Sequence, residues 1–100
     1  MREPKTERDQ RLWRTVALPD KALGLFSLPM MAALAAIRDL SDEGGCGIEA
    51  DLRIAYVAGV SRHTARTAIE RALKVGLIEI EHMPPTGRRV IINKRIGRAI

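Results

Sequence analysis

Residues 59–66 read Gly-Val-Ser-Arg-His-Thr-Ala-Arg, and this stretch decides which fold the chain can adopt. Gly59 can take the positive φ that ends a helix. The Ser61 hydroxyl can then accept a hydrogen bond from a first-turn N–H of the next helix. The stretch therefore predicts two helices joined by a short turn, with the second of them over residues 61–75.

The helix predicted at 61–75 has an apolar stripe and a polar face. Its alanines would let neighbouring helices approach closely. The stripe comprises Ala65, Ala68, Ile69, Ala72 and Leu73. The opposite face carries Arg62, His63, Arg66, Thr67, Glu70, Arg71 and Lys74.

Two further helices are predicted upstream. Ser27 can cap the first, with Pro29 in its first turn, and the spacing of its apolar residues predicts one buried face over 28–42. That face comprises Met30, Ala33, Leu34, Ile37 and Leu40. Glycines at 44, 45 and 47 break this helix and leave residues 46–49 as an extended link. The next helix covers residues 51–58.

The helix at 51–58 is apolar on two faces. Ile54, Ala55 and Ala58 form the expected inward stripe, whereas Leu52 and Tyr56 lie four residues apart on another face. Residues 12–18, a predicted short strand or extended segment, would cover that face in the simplest arrangement. The other interpretation is a dimer or arm contact made by Leu12, Trp13, Leu52 and Tyr56.

The last third of the domain predicts a β-hairpin. Gly76 closes the preceding helix, after which apolar residues alternate with Glu79 and Glu81, and a second apolar run follows at 90–92. Arg88 and Arg89 make the tip of this hairpin basic. The predicted fold class is thus α+β and mainly α, with three helices and a C-terminal two-stranded hairpin over 12–93.

The segments outside 12–93 are polar. Residues 1–11 cannot bury enough apolar area to offset chain entropy and predict a flexible arm. Residues 94–100 predict a basic tail, either a short helix or disordered.

Charge is unevenly distributed along a chain whose net charge is +5. Residues 1–14 have a net charge of +2 and residues 15–60 of −3, but residues 61–100 carry nine basic and three acidic side chains, a net of +6. A field of one sign on part of a small domain attracts polyanions, above all nucleic acid. The simpler alternative is that the charge serves solubility.

The polar face of the helix at 61–75 has the side chains that a major-groove reader needs. Such a helix reads base edges from its N-terminal turns with long donors and small hydroxyls. Arg66 is the favoured base reader because a guanidinium can bond both acceptors of a guanine edge. Ser61 suits a phosphate, and Arg88 and Arg89 suit a phosphate or a narrow minor groove. The competing interpretation is an ordinary solvated helix face.

The predicted DNA-contacting residues are Ser61, Arg62, His63, Thr64, Arg66, Thr67, Arg71, Arg88, Arg89, Lys94 and Arg95.

Catalysis, cofactors and metals are not expected. Cys46, His63 and His82 match no metal-ligand spacing, and no phosphate loop, serine elbow or carboxylate pair occurs. A cytoplasmic protein without membrane contact is expected, because there is no run of 18 apolar residues, no apolar signal core at the start and no second thiol.

The chain resembles the winged helix-turn-helix superfamily over roughly residues 12–93. The similarity is carried by Gly59-Val60-Ser61-Arg62, Thr64, Ala68-Ile69 and Gly76-Leu77-Ile78. Two branches are similar: the domains of phage and plasmid replication initiators, and the GntR-like transcriptional regulators. The extended segment before the first helix and the cysteine-containing glycine link are more similar to the initiators. The resemblance implies double-stranded DNA as the partner, with the third helix in the major groove and the hairpin as a wing on the backbone or minor groove.

Three functions follow as expectations. The first is a small sequence-specific transcriptional regulator, expected to be a homodimer because twofold pairing doubles the site read. The second is a replication, partition or packaging factor of a phage or plasmid, in contact with other replication or transcription proteins. The third is an adaptor that binds protein, which would not need arginines on both the helix and the hairpin.

Overall fold

Three α-helices followed by a β-hairpin form the part of the chain that the computed structural model describes, residues 16–22, 24–44, 51–83, 85 and 88–98. The elements are α1 (Leu28–Gly44), α2 (Asp51–Ala58), α3 (Arg62–Lys74), β1 (Ile78–Met83) and β2 (Arg88–Asn93). The predicted fold class is confirmed: the chain is α+β and mainly helical, with the layout of a winged helix. A 3-10 helix at Asp20–Ala22, which the sequence did not indicate, precedes α1.

The boundaries of α3 are set by the residues that the sequence singled out. Gly59 has a φ of +70° between α2 and α3, and Gly76 has a φ of +81° after α3. Ser61 has extended backbone angles, and its hydroxyl oxygen accepts a hydrogen bond of 3.0 Å from the Thr64 N–H. The predicted turn, N-cap and helix end are therefore confirmed.

Helix α1 is the centre of the fold. All side chains from 30 to 38 are buried, so the prediction of a single apolar face was too narrow. The physical reason is that α1 packs against α2, α3 and β2, and its small apolar residues Ala32, Ala35 and Ala36 fill the remaining sides. The largest fully buried side chains of the described residues are Leu34, Ile37, Ile54, Leu77 and Ile78.

Helix α3 packs through its alanines. Ala65, Ala68 and Ala72 are fully buried and Ile69 almost so. Leu73 was predicted to belong to this stripe, but its side chain is 43% exposed. The prediction was wrong because Leu73 lies about 100° round the helix from Ala72, beyond the edge of the buried face.

The strands pair in an antiparallel register that runs from Ile78 opposite Asn93 to Met83 opposite Arg88. Arg88 and Arg89 were predicted at the tip of the hairpin. They are the first two residues of β2, at the turn end of the ladder, which extends two residues further than the apolar run at 90–92 indicated.

The segment after β2 docks back onto the domain. The Asn93 side chain accepts from the Ile96 N–H and donates to the Ile96 carbonyl, both at 2.8 Å. Ile96 is buried in the core, and Gly97 exchanges two backbone hydrogen bonds with Ala17. The prediction of a helical or disordered tail is therefore wrong for residues 94–98. Ala17 belongs to the segment that was predicted to be extended, 12–18, and its pairing with Gly97 is an isolated antiparallel β-bridge.

Several predicted features lie outside the described residues: the arm at 1–11, Leu12 and Trp13, the link at 46–49, and most of the turn at 84–87. Among the residues that are described, no helix combines the length and apolar character needed to cross a membrane.

Candidate nucleic-acid interface

The N-terminal end of α3 carries a hydroxyl pair at its cap. Ser61 accepts from the Thr64 N–H and donates its hydroxyl to Thr64 Oγ1 over 2.9 Å. Ser61 is exposed, and the positive end of the helix dipole and the N–H groups of the first turn lie beside it. This end of α3 therefore has the chemistry of a phosphate contact, while the hydroxyls themselves serve the cap.

Arg62 and Arg66 lie one turn apart on the flank of α3 that faces the start of α2. Arg66 Nε donates to Asp51 Oδ2 over 3.0 Å, and Arg62 Nε lies 3.5 Å from the same oxygen. The side chain of Arg62 is 61% exposed and that of Arg66 is 53% exposed, whereas that of Asp51 is 23% exposed. Two exposed guanidiniums thus share one partly buried carboxylate.

Asp51 is ionised at neutral pH. Its partial burial by itself would raise the pKa. The hydrogen bond from Arg66, the charges of Arg62 and Arg66 and a backbone hydrogen bond with Leu52 outweigh this effect and lower the pKa of Asp51 below its usual value. The carboxylate therefore keeps its negative charge beside both arginines throughout the physiological range.

His63 and Thr67 lie between the two flanks of α3, on its outward side. The Thr67 hydroxyl donates to the His63 carbonyl over 2.9 Å, so its oxygen remains an acceptor. An acceptor at this position suits the amino group of adenine or cytosine. The His63 ring is exposed.

Arg71 is tied to the fold. Its Nη1 donates to the Leu25 carbonyl over 2.6 Å and lies 3.8 Å from Met30 Sδ. Because Arg71 lies about 140° round the helix from Arg66, it faces the segment before α1 and not α2. The structure thus gives this predicted DNA contact a structural task, that of joining α3 to the start of α1.

The basic residues of the hairpin fall at its two ends. Arg89 is exposed and pairs across the ladder with His82, near the turn. At the other end Lys94 Nζ lies 3.4 Å from Glu79 Oε2, and the backbone N–H of Arg95 donates to the Leu77 carbonyl. Because a strand rises about 3.3 Å per residue, the two ends are on the order of 15 Å apart. Lys94 and Arg95 therefore lie beside the C-terminal end of α3, away from Ser61.

Helix α2 leaves apolar side chains in solvent. Leu52 is 61% exposed, Tyr56 87% and Val57 48%. The predicted second apolar face of this helix is thus present and open in the described part of the chain. Leu12 and Trp13, the other members of the predicted contact, lie outside it.

The structure brings together only part of the predicted set: Ser61, Arg62, His63, Thr64, Arg66 and Thr67 share the N-terminal half of α3. Sequence reasoning missed Asp51, whose one local signal is an acidic residue in the first turn of α2. In the described ranges no cluster of three or more His, Cys, Asp or Glu side chains is arranged to hold a metal ion.

A scan of protein-family models and searches of curated proteins and of solved structures found no match to this chain. The function of the exposed side chains of α3 is therefore inferred from their chemistry.

Proposed function

We propose that this protein is a sequence-specific double-stranded DNA-binding protein, a small cytoplasmic transcriptional regulator. Helix α3 enters the major groove, and the wing at 84–89 contacts the flanking backbone or minor groove. The observation that carries the proposal is the pair of exposed arginines, Arg62 and Arg66, at the N-terminal end of a helix that is backed by buried alanines.

The dimensions of α3 support this proposal. A helix of 13 residues is about 20 Å long, and the major groove is about 12 Å wide, enough to admit one helix. Residues in the first turns of such a helix reach base edges, and Arg62, His63, Arg66 and Thr67 occupy those turns. Their donors and acceptors cover guanine, adenine and cytosine edges.

Charge supports the same partner. The part of the chain from Ser61 onward, which includes α3 and the hairpin, has a net charge of +6. Arg89 extends the basic surface onto the wing, where a phosphate or the negative potential of a narrow minor groove would attract it.

The proposed regulator acts as a homodimer. One module of this size reads few base pairs, and a twofold axis doubles the site. The exposed apolar face of α2 that Leu52 and Tyr56 form is the surface proposed for the second copy.

Selection of bound duplexes from a random pool at physiological salt tests this function. The expected result is enrichment of one motif with inverted symmetry and half-sites about one helical turn apart. Tyr56→Asp places a charge on the proposed dimer face, so this variant should enrich a single half-site and show half the mass by light scattering. A pool without an enriched motif would overturn DNA reading. An inverted motif and unchanged mass with Tyr56→Asp would overturn the dimer face alone.

A further inference from the structure

Asp51 brings a negative charge to the edge of the proposed interface. It is the first residue of α2, and its carboxylate lies between two arginines of α3 that are four residues apart. Two like charges at this spacing on a helix repel each other. The shared Asp51 oxygen offsets that repulsion and keeps both guanidiniums on the same flank of α3.

The atoms in contact matter for what the arginines can still do. Both reach Asp51 through Nε, the guanidinium nitrogen nearest the backbone. Each guanidinium has five N–H donors, four of them on the two terminal nitrogens. Within the described ranges the structure gives the terminal nitrogens of Arg62 and Arg66 no partner, so the edges that would face a guanine remain available.

The carboxylate also changes how the arginines meet the DNA backbone. A free arginine on a flexible side chain binds any phosphate, which adds affinity without discrimination. An arginine that is held in one orientation loses less conformational freedom when it binds a base edge. A fixed negative charge beside it weakens the attraction to phosphates in general.

We propose that Asp51 is a positioning and specificity-determining residue, which holds Arg62 and Arg66 by Nε so that their terminal nitrogens face base edges and not phosphates. This inference rests on the proposed function and deepens it. It predicts that loss of the carboxylate weakens discrimination between sequences and strengthens binding to unrelated DNA.

The test compares Asp51→Ala with Glu70→Ala. Glu70 is exposed on the same face of α3 but is not among the groups in contact with either arginine, so its removal subtracts the same charge without freeing them. Dissociation constants are measured for the selected site and for a scrambled duplex at several salt concentrations. Asp51→Asn serves as the isosteric variant, and thermal unfolding checks that each protein is folded.

For Asp51→Ala, the ratio of the two dissociation constants should fall about tenfold, within the range that one bidentate arginine–guanine contact provides. The slope of log K against log salt on the scrambled duplex should steepen by about 1, because a released arginine takes up one more phosphate. Glu70→Ala should strengthen both complexes alike and leave the ratio unchanged.

The contact of Asp51 with the two arginines can also be detected without DNA. In the free wild-type protein the Nε–H signals of Arg62 and Arg66 should be slowed in exchange with water in NMR spectra, and Asp51→Ala should remove this protection. If the wild-type protein discriminates between the two duplexes and Asp51→Ala has the same ratio of dissociation constants, this inference alone is overturned. A wild-type protein that binds both duplexes equally overturns the proposed function and this inference with it.

Discussion

Leu34→Ala should lower the free energy of unfolding by about 2–5 kcal/mol, because it removes a large side chain from the core and leaves a cavity. Leu34 is fully buried in α1, the helix that packs against α2, α3 and β2. Because α1 is packed against several elements, the surrounding residues can close the cavity that its removal would leave only in part. Urea unfolding monitored by far-ultraviolet circular dichroism measures the loss.

Leu73→Ala is the matched control for this substitution. The same change at a side chain that is 43% exposed should cost much less, about 1 kcal/mol or below. Because a domain of this size has only about 5–15 kcal/mol of stability, Leu34→Ala risks unfolding outright. Leu34→Met, which conserves volume, should then remain folded with a loss below about 1.5 kcal/mol. Equal losses for Leu34→Ala and Leu73→Ala would contradict the central place of α1.

Arg66→Ala should weaken binding to the selected site by roughly 1–3 kcal/mol and relax the preference at one base pair. The Arg66 side chain is 53% exposed near the start of α3, and among the described residues Asp51 is its hydrogen-bond partner. Titration of a panel of duplexes, each altered at one position of the site, measures both effects.

Arg71→Ala is the control for Arg66→Ala. Both substitutions remove one arginine from α3, but Arg71 is held by the Leu25 carbonyl. Arg71→Ala should lower the melting temperature and leave the base preference unchanged. A uniform loss of affinity across the whole panel for Arg66→Ala would make that residue a phosphate contact and not a base reader.

The helices could be predicted because their signals are local. Gly59, Ser61 and Gly76 act on backbone groups within a few residues of themselves, so the ends of α2 and α3 were visible in the sequence. The depth of burial was not visible. A pattern of period 3.6 indicates one apolar face, but only the tertiary packing of α1 shows that alanines outside that face are buried as well.

Long-range contacts were not visible in the sequence. Ala17 and Gly97 pair across 80 residues, and no periodicity near residue 97 indicates such a partner. The Arg71 bond to Leu25 and the Arg66 bond to Asp51 likewise join residues that only the fold brings together. Pattern reasoning therefore placed Arg62, Arg66 and Arg71 together among the DNA-contacting residues. The structure assigns one of them to the fold and two to a shared carboxylate.

The salt dependence of DNA binding tests the central claim most directly. Fluorescence anisotropy of a labelled duplex, titrated with the wild-type protein over a series of salt concentrations, gives the slope of log K against log salt. If basic side chains of α3 and the wing neutralise about five phosphates, the slope should be about −4 to −5. An affinity that does not change with salt would contradict the account of this protein as a DNA-binding winged helix.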